Sequence, residues 1–135
     1  MKDKAVNLHG LANVEYEKIE ILVTSDSQEI EFSHITEIDH SCIIGIAQVF
    51  SNTLALANST LRLSIDSQEV FPKGFESKLI HASSDVAPDE RFVRTINRDV
   101  KQDKVTGRFM DGGALAGSFE PYTANIYLMV LSNRH

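Results

Sequence analysis

The chain has 135 residues, 42% of them hydrophobic and 24% charged, which suits one soluble domain with a core of its own. A formal net charge of −6 argues against a protein that grips nucleic acid through its phosphates, because that needs a concentrated basic surface. The single cysteine, Cys42, excludes an intrachain disulfide, so stability has to come from packing.

Residues 1–14 read as an N-terminal arm ahead of one domain spanning 15–135. Val6, Leu8, Leu11 and Val14 are apolar, but Asn7, Gly10 and Asn13 interrupt them. There is no continuous apolar stretch of the kind a secretion signal carries, and no run reaches the roughly 20 apolar residues of a membrane-spanning helix. The expectation is synthesis in a cytoplasm without an export signal.

From Glu15 onward, short alternating runs are broken about every ten residues by turn formers, a rhythm that indicates an antiparallel β-sandwich or barrel. Tyr16 to Thr24 places Ile19, Ile21 and Val23 on one face, and Ser25-Asp26-Ser27 turns it. Glu29 to Phe32 alternates, and Ile35 to Ile38 continues or restarts it. After a break at Asp39-His40-Ser41, Cys42 to Phe50 is apolar on both faces, as in a central strand, with Gly45 marking a bulge or close approach. Leu54 to Ala57 is a connection or short strand, and Leu61 to Ile65 alternates cleanly. Pro72 and Gly74 break the chain between Phe71 and Phe75, and Phe75 to His81 reads as another strand. Ser83 to Glu90 is a loop. Arg91–Val100 and Lys104–Met110 read as a charge-balanced hairpin with its tip at Lys101-Gln102-Asp103. A glycine-rich connection leads to a last strand after Pro121. About eight strands result, with an expected core of Ile19, Ile21, Val23, Ile30, Phe32, Ile44, Ile46, Leu61, Leu63, Ile65, Phe75, Leu79, Phe92, Phe109, Ile126, Leu128 and Val130.

Chemistry is sparse. His9, His34, His40, His81 and His135 form no tight pair of the kind zinc sites use on one strand or helix. The Asp85–Glu90 loop lacks the dense oxygen donors of a calcium loop. Asp111-Gly112-Gly113 lacks the lysine and following helix of a phosphate cradle. No nucleophile motif is present. The expectation is no enzyme: no catalytic residue, no cofactor and no metal.

An arm, about eight strands and no catalytic site together resemble a single jelly roll, a fold of viral capsid proteins and some lectins. Leu61 to Phe92, with the Glu69-Val70-Phe71-Pro72-Lys73-Gly74-Phe75 break, and the closing Pro121 to Leu128 strand are similar in style to small structural proteins of tailless icosahedral bacteriophages. That resemblance implies a virion component, a capsid or vertex subunit with copies of itself and other capsid proteins as partners, and it carries over no functional residue. A carbohydrate-binding, lectin-like module is the alternative. It fits less well, since the chain has no tryptophan and its three tyrosines, Tyr16, Tyr122 and Tyr127, fall inside strands.

The residues expected at an oligomer interface are Val6, Leu8, Leu11 and Val14 of the arm and Tyr127, Met129 and Leu131 of the last strand. Tyr122, Ala124, Ile126, Leu128 and Val130 claim the core side of that strand. A solvent-facing side should be polar, so an apolar Tyr127-Met129-Leu131 row calls for a cover.

Overall fold

A computed structural model describes residues 14–82, 94–115 and 117–132. Among them are nine strands: β1 (Val14–Ile19), β2 (Leu22–Val23), β3 (Glu29–Ile35), β4 (His40–Phe50), β5 (Thr60–Ile65), β6 (Gln68–Phe71), β7 (Arg94–Asp99), β8 (Lys104–Met110) and β9 (Tyr122–Ser132). They form two antiparallel sheets packed as a β-sandwich. The larger has the order β1-β9-β4-β7, with β2 also on β9, and the smaller has the order β3-β8-β5-β6. The described residues contain no α-helix.

The pairing is nested. β5 pairs with β6, β4 with β7, β3 with β8, and β1 with β9. A long hairpin wound onto itself has this pattern, with each outer pair lying farther apart in sequence than the one inside it.

Alternation decides which residues enter the core. Leu61, Leu63 and Ile65 from β5 are fully buried, as are Val105 and Phe109 from β8 and Ala124, Ile126, Leu128 and Val130 from β9. Ile19, Ile21 and Val23 are buried although β1 and β2 are separated by Glu20 and Ile21. Ile30, Phe32 and Phe75 pack against this cluster while partly buried. Gly107 is required between Phe32 and Leu63: a Cβ there would lie 2.1 Å from the Arg62 carbonyl oxygen and 2.6 Å from the Phe32 ring.

Several sequence expectations change. Ile44 is not in the core. A bulge in β4 shifts the register from Ile43↔Val130 to Gly45↔Met129, so Ile43 and Ile46 are the fully buried pair and Ile44 is the extra residue that a bulge throws out of alternation. The strand also starts earlier than the turn-like Asp39-His40-Ser41 suggested, with His40 opposite Ser132. Phe75 to His81 is no strand: Ser77–Leu79 is a 3-10 turn, which leaves Leu79 48% exposed and buries Ile80 instead. Thr53–Leu56 is likewise a 3-10 turn, with the Asn52 side chain accepting from the Leu54 amide. β7 and β8 do not pair as a hairpin. They lie in opposite sheets, and the link crosses the sandwich edge, held by the Val100 amide donating to the Ser41 carbonyl at 3.0 Å. Val14 belongs to β1 rather than to an arm. Phe92 and the Asp85–Glu90 loop lie outside the described residues.

Candidate functional site

Two polar clusters occupy opposite ends of the sandwich. The first begins in β1. Glu17 lies opposite Leu128 and Ile19 opposite Ile126, so the alternation that buries Ile19 also turns Glu17 inward. β3 brings His34 to the side of Ile30 and Phe32, since all three alternate with the exposed Glu31 and Ser33. The tight turn after β3, closed by the His40 amide donating to the Glu37 carbonyl at 3.0 Å, delivers His40 to the start of β4.

The result is a carboxylate held by two imidazoles. Glu17 Oε1 is 2.5 Å from His34 Nε2, and Glu17 Oε2 meets His40 Nδ1. Oε2 also accepts from the Glu37 amide at 3.0 Å. The far nitrogen of His40, Nε2, is 3.0 Å from Glu15 Oε1. The His40 and Glu17 side chains are 1% and 2% exposed, whereas His34 and Glu15 are 24% and 38% exposed.

Burial pushes the Glu17 carboxyl up, but hydrogen bonds from His40, the Glu37 amide and His34 outweigh it and hold its pKa below the ordinary value. Burial pulls the His40 imidazole down, while the Glu17 and Glu15 carboxylates outweigh it and raise its pKa. Ligand atoms of Glu17, Glu37 and His40 lie within 4.8 Å of one another. Sequence spacing discloses none of this. His34 and His40 are six apart on different strands, and the carboxylate that joins them is 17 and 23 residues away. The one local signal is a glutamate at core parity two positions before Ile19.

The second cluster centres on Asp111, 2% exposed. Its Oδ2 accepts from the Ser27 amide at 2.9 Å and the Gly113 amide at 3.1 Å, and its Oδ1 accepts from the Tyr122 hydroxyl. Burial first, and then the bond to Asp111, push the Tyr122 pKa far up, so the hydroxyl keeps its proton. The Gly112 amide donates to Ser59 Oγ at 3.1 Å. Asp111-Gly112-Gly113 is thus a turn anchored inside the protein, as its lack of a lysine and helix suggested.

The outer faces of the two sheets differ in character. On the smaller sheet, Arg108 pairs with Glu29 at 3.5 Å and with Glu31, and Arg62 pairs with Glu69 at 3.3 Å. On the larger sheet, Val14 lies opposite Leu131, Tyr16 opposite Met129 and Lys18 opposite Tyr127. On the other side of β9, Cys42 lies opposite Leu131 and Ala47 opposite Tyr127. Tyr127, Met129, Leu131, Val14, Cys42, Ile44 and Val49 are half-buried there, and Tyr16 is 45% exposed. The fold therefore gathers four of the expected interface residues, Val14, Tyr127, Met129 and Leu131, on one face and adds Tyr16 to them. Val6, Leu8 and Leu11 lie outside the described residues.

No known protein family, curated protein or solved structure matches the chain. No helix among the described residues is long and apolar enough to cross a membrane.

Proposed function

We propose that this chain is a structural subunit, a single jelly roll that builds a symmetric oligomer by docking the outer face of its larger sheet on a second copy, in the role of a capsid or vertex component of a virion. Counting β1 and β2 as one interrupted strand, the nested pairs make eight strands in two four-stranded sheets, the number and layering of a jelly roll. The observation that carries the assembly reading is the contrast between the two outer faces. Ion pairs dress the smaller sheet, while the row from Tyr16 through Met129 and Leu131 presents aromatic, thioether and aliphatic groups, types enriched at interface cores. The row itself carries no charge, and Lys18, paired with Glu20 at 3.6 Å, stands at its edge, so in a chain of net charge −6 a like-charged copy approaches this row with little repulsion.

Light scattering on the full chain tests this. The native protein is expected to run as a multimer, and Met129→Glu as a monomer with an unchanged circular-dichroism spectrum, because a carboxylate buried unpaired in an interface costs several kcal/mol. A multimer that survives Met129→Glu removes this face from the interface, and a native monomer overturns the assembly reading.

A further inference from the structure

The Glu17 cluster has a proton-count problem that the Asp111 cluster lacks. Both ring nitrogens of His40 face carboxylate oxygens, Nδ1 that of Glu17 and Nε2 that of Glu15 at 3.0 Å. A neutral imidazole carries one N–H. One of the two contacts is then a lone pair against an anion, inside a site where the His40 and Glu17 side chains are almost wholly withdrawn from water. A positive charge has to sit there, either a proton that makes His40 an imidazolium or a metal ion. Carboxylate oxygens of Glu17 and Glu37 and a ring nitrogen of His40 lie within 4.8 Å of one another, donors of the kind a divalent cation takes.

We propose that Glu17, Glu37 and His40 bind a first-row divalent metal ion. The surroundings are those of ligands and their supports rather than of a simple ion pair. In the metal-bound form, His40 Nε2–H donating to Glu15 at 3.0 Å fixes the tautomer whose Nδ1 lone pair faces the ion. His34 Nε2–H donates to Glu17 Oε1 at 2.5 Å, orienting the carboxylate so that Oε2, which accepts from the Glu37 amide, faces His40 Nδ1, where a metal ion would take the place of the proton between them. Histidine ligands of metals generally have such a carboxylate behind them, and ligating carboxylates are themselves hydrogen-bonded. Glu37 is exposed and stands at the rim of the site, so the ion has a route in. One imidazole and two carboxylates suit Zn²⁺ or Mn²⁺ better than the all-oxygen shells of Ca²⁺ or Mg²⁺. The site lies on the core side of the larger sheet, so this inference does not rest on the assembly reading.

The test is titration of chelator-stripped full-length protein with Zn²⁺ by calorimetry, with Co²⁺ absorption as a second probe of nitrogen ligation. One ion per chain is expected, with a rise in melting temperature that Mg²⁺ and Ca²⁺ do not reproduce. His40→Asn is expected to abolish binding, but it removes a buried group and is exposed to misfolding. The deciding variant is Glu37→Gln, at the exposed rim, expected to fold normally and to bind Zn²⁺ at least tenfold more weakly. Glu20→Gln, at an exposed carboxylate outside the cluster, is expected to bind as the native chain does. Absence of stoichiometric Zn²⁺ binding would mean that a proton alone balances the site and would overturn the proposal. So would Zn²⁺ binding untouched by Glu37→Gln, or a site that takes Ca²⁺ in preference.

Discussion

Asp111 and Glu17 are both buried carboxylates at an end of the same sandwich, and each accepts three contacts, yet the two environments differ in kind. Asp111 is met by two backbone amides and a tyrosine hydroxyl, all of which are donors whatever the pH near neutrality. Glu17 is met by one backbone amide and two imidazoles, and an imidazole nitrogen donates only in one tautomer or when charged. The first arrangement is complete with protein atoms alone. The second depends on how protons or a cation are distributed among Glu15, Glu17, Glu37, His34 and His40. A buried carboxylate is therefore a structural anchor where fixed donors surround it, and a place for exchange with solvent species where titratable groups do.

Four substitutions, read by urea denaturation of metal-free protein, sharpen or break that contrast. Glu17→Ala has the largest expected effect, a loss of about 3–4 kcal/mol, because it leaves the Glu37 amide and the buried His40 N–H without their acceptor, each at a cost of about 1–3 kcal/mol. Loss of less than half that would mean His40 is comfortable without its carboxylate and that the cluster is not tightly coupled. Asp111→Asn follows, at about 2–3 kcal/mol. Both oxygens of Asp111 accept, so either orientation of the amide sets an NH₂ group against a donor, and a buried donor left without an acceptor costs about 1–3 kcal/mol.

Tyr122→Phe is expected to cost about 1–2 kcal/mol at neutral pH, the loss of one hydrogen bond to a charged group. Its pH dependence has a definite sign. In the unfolded chain tyrosine ionises near pH 10, while in the fold Tyr122 holds its proton to higher pH. Above about pH 10 the unfolded chain binds fewer protons than the native one, so the tyrosine's contribution falls as pH rises. The stability gap between native protein and Tyr122→Phe should accordingly narrow in alkali. A gap that widens there would show that the hydroxyl is not the donor to Asp111.

Glu17→Gln has the smallest expected effect, within about 1 kcal/mol, less than the cost of one unsatisfied buried group. One amide oxygen still accepts from the Glu37 amide and a His40 Nδ1–H, and the NH₂ group donates to His34 Nε2 as an acceptor. The same carboxylate-to-amide swap is thus costly at Asp111 and nearly silent at Glu17. Equal costs at both positions would erase the distinction between the two clusters.

Local sequence carried the all-β class, most strand positions and the two-faced character of β9. A period of two is imposed by the backbone, and in β9 Tyr122, Ala124, Ile126, Leu128 and Val130 are all buried while Tyr127, Met129 and Leu131 lie on the outer side. Where the period slips, local reading fails. The bulge in β4 exchanges Ile44 for Ile43, and a 3-10 turn exchanges Leu79 for Ile80, because one extra or differently wound residue moves a side chain to the other face. The separation of β7 from β8 follows the same logic, since two adjacent alternating runs joined by a short turn look alike whether they pair or cross between sheets.

By itself the sequence determined what the regular strands bury, the bulged β4 excepted, since alternation depends only on neighbours in the chain. The tertiary structure decided which strands meet, and with that everything polar. The nesting of β1 on β9 and β3 on β8 joins residues 69 to 117 apart in the chain, and the convergence of Glu17, His34, Glu37 and His40 at one end of the sandwich is a product of strand order and stagger. No periodicity encodes such a meeting, because the energy that holds it comes from contacts between residues whose separation in the chain is set by topology rather than by backbone geometry.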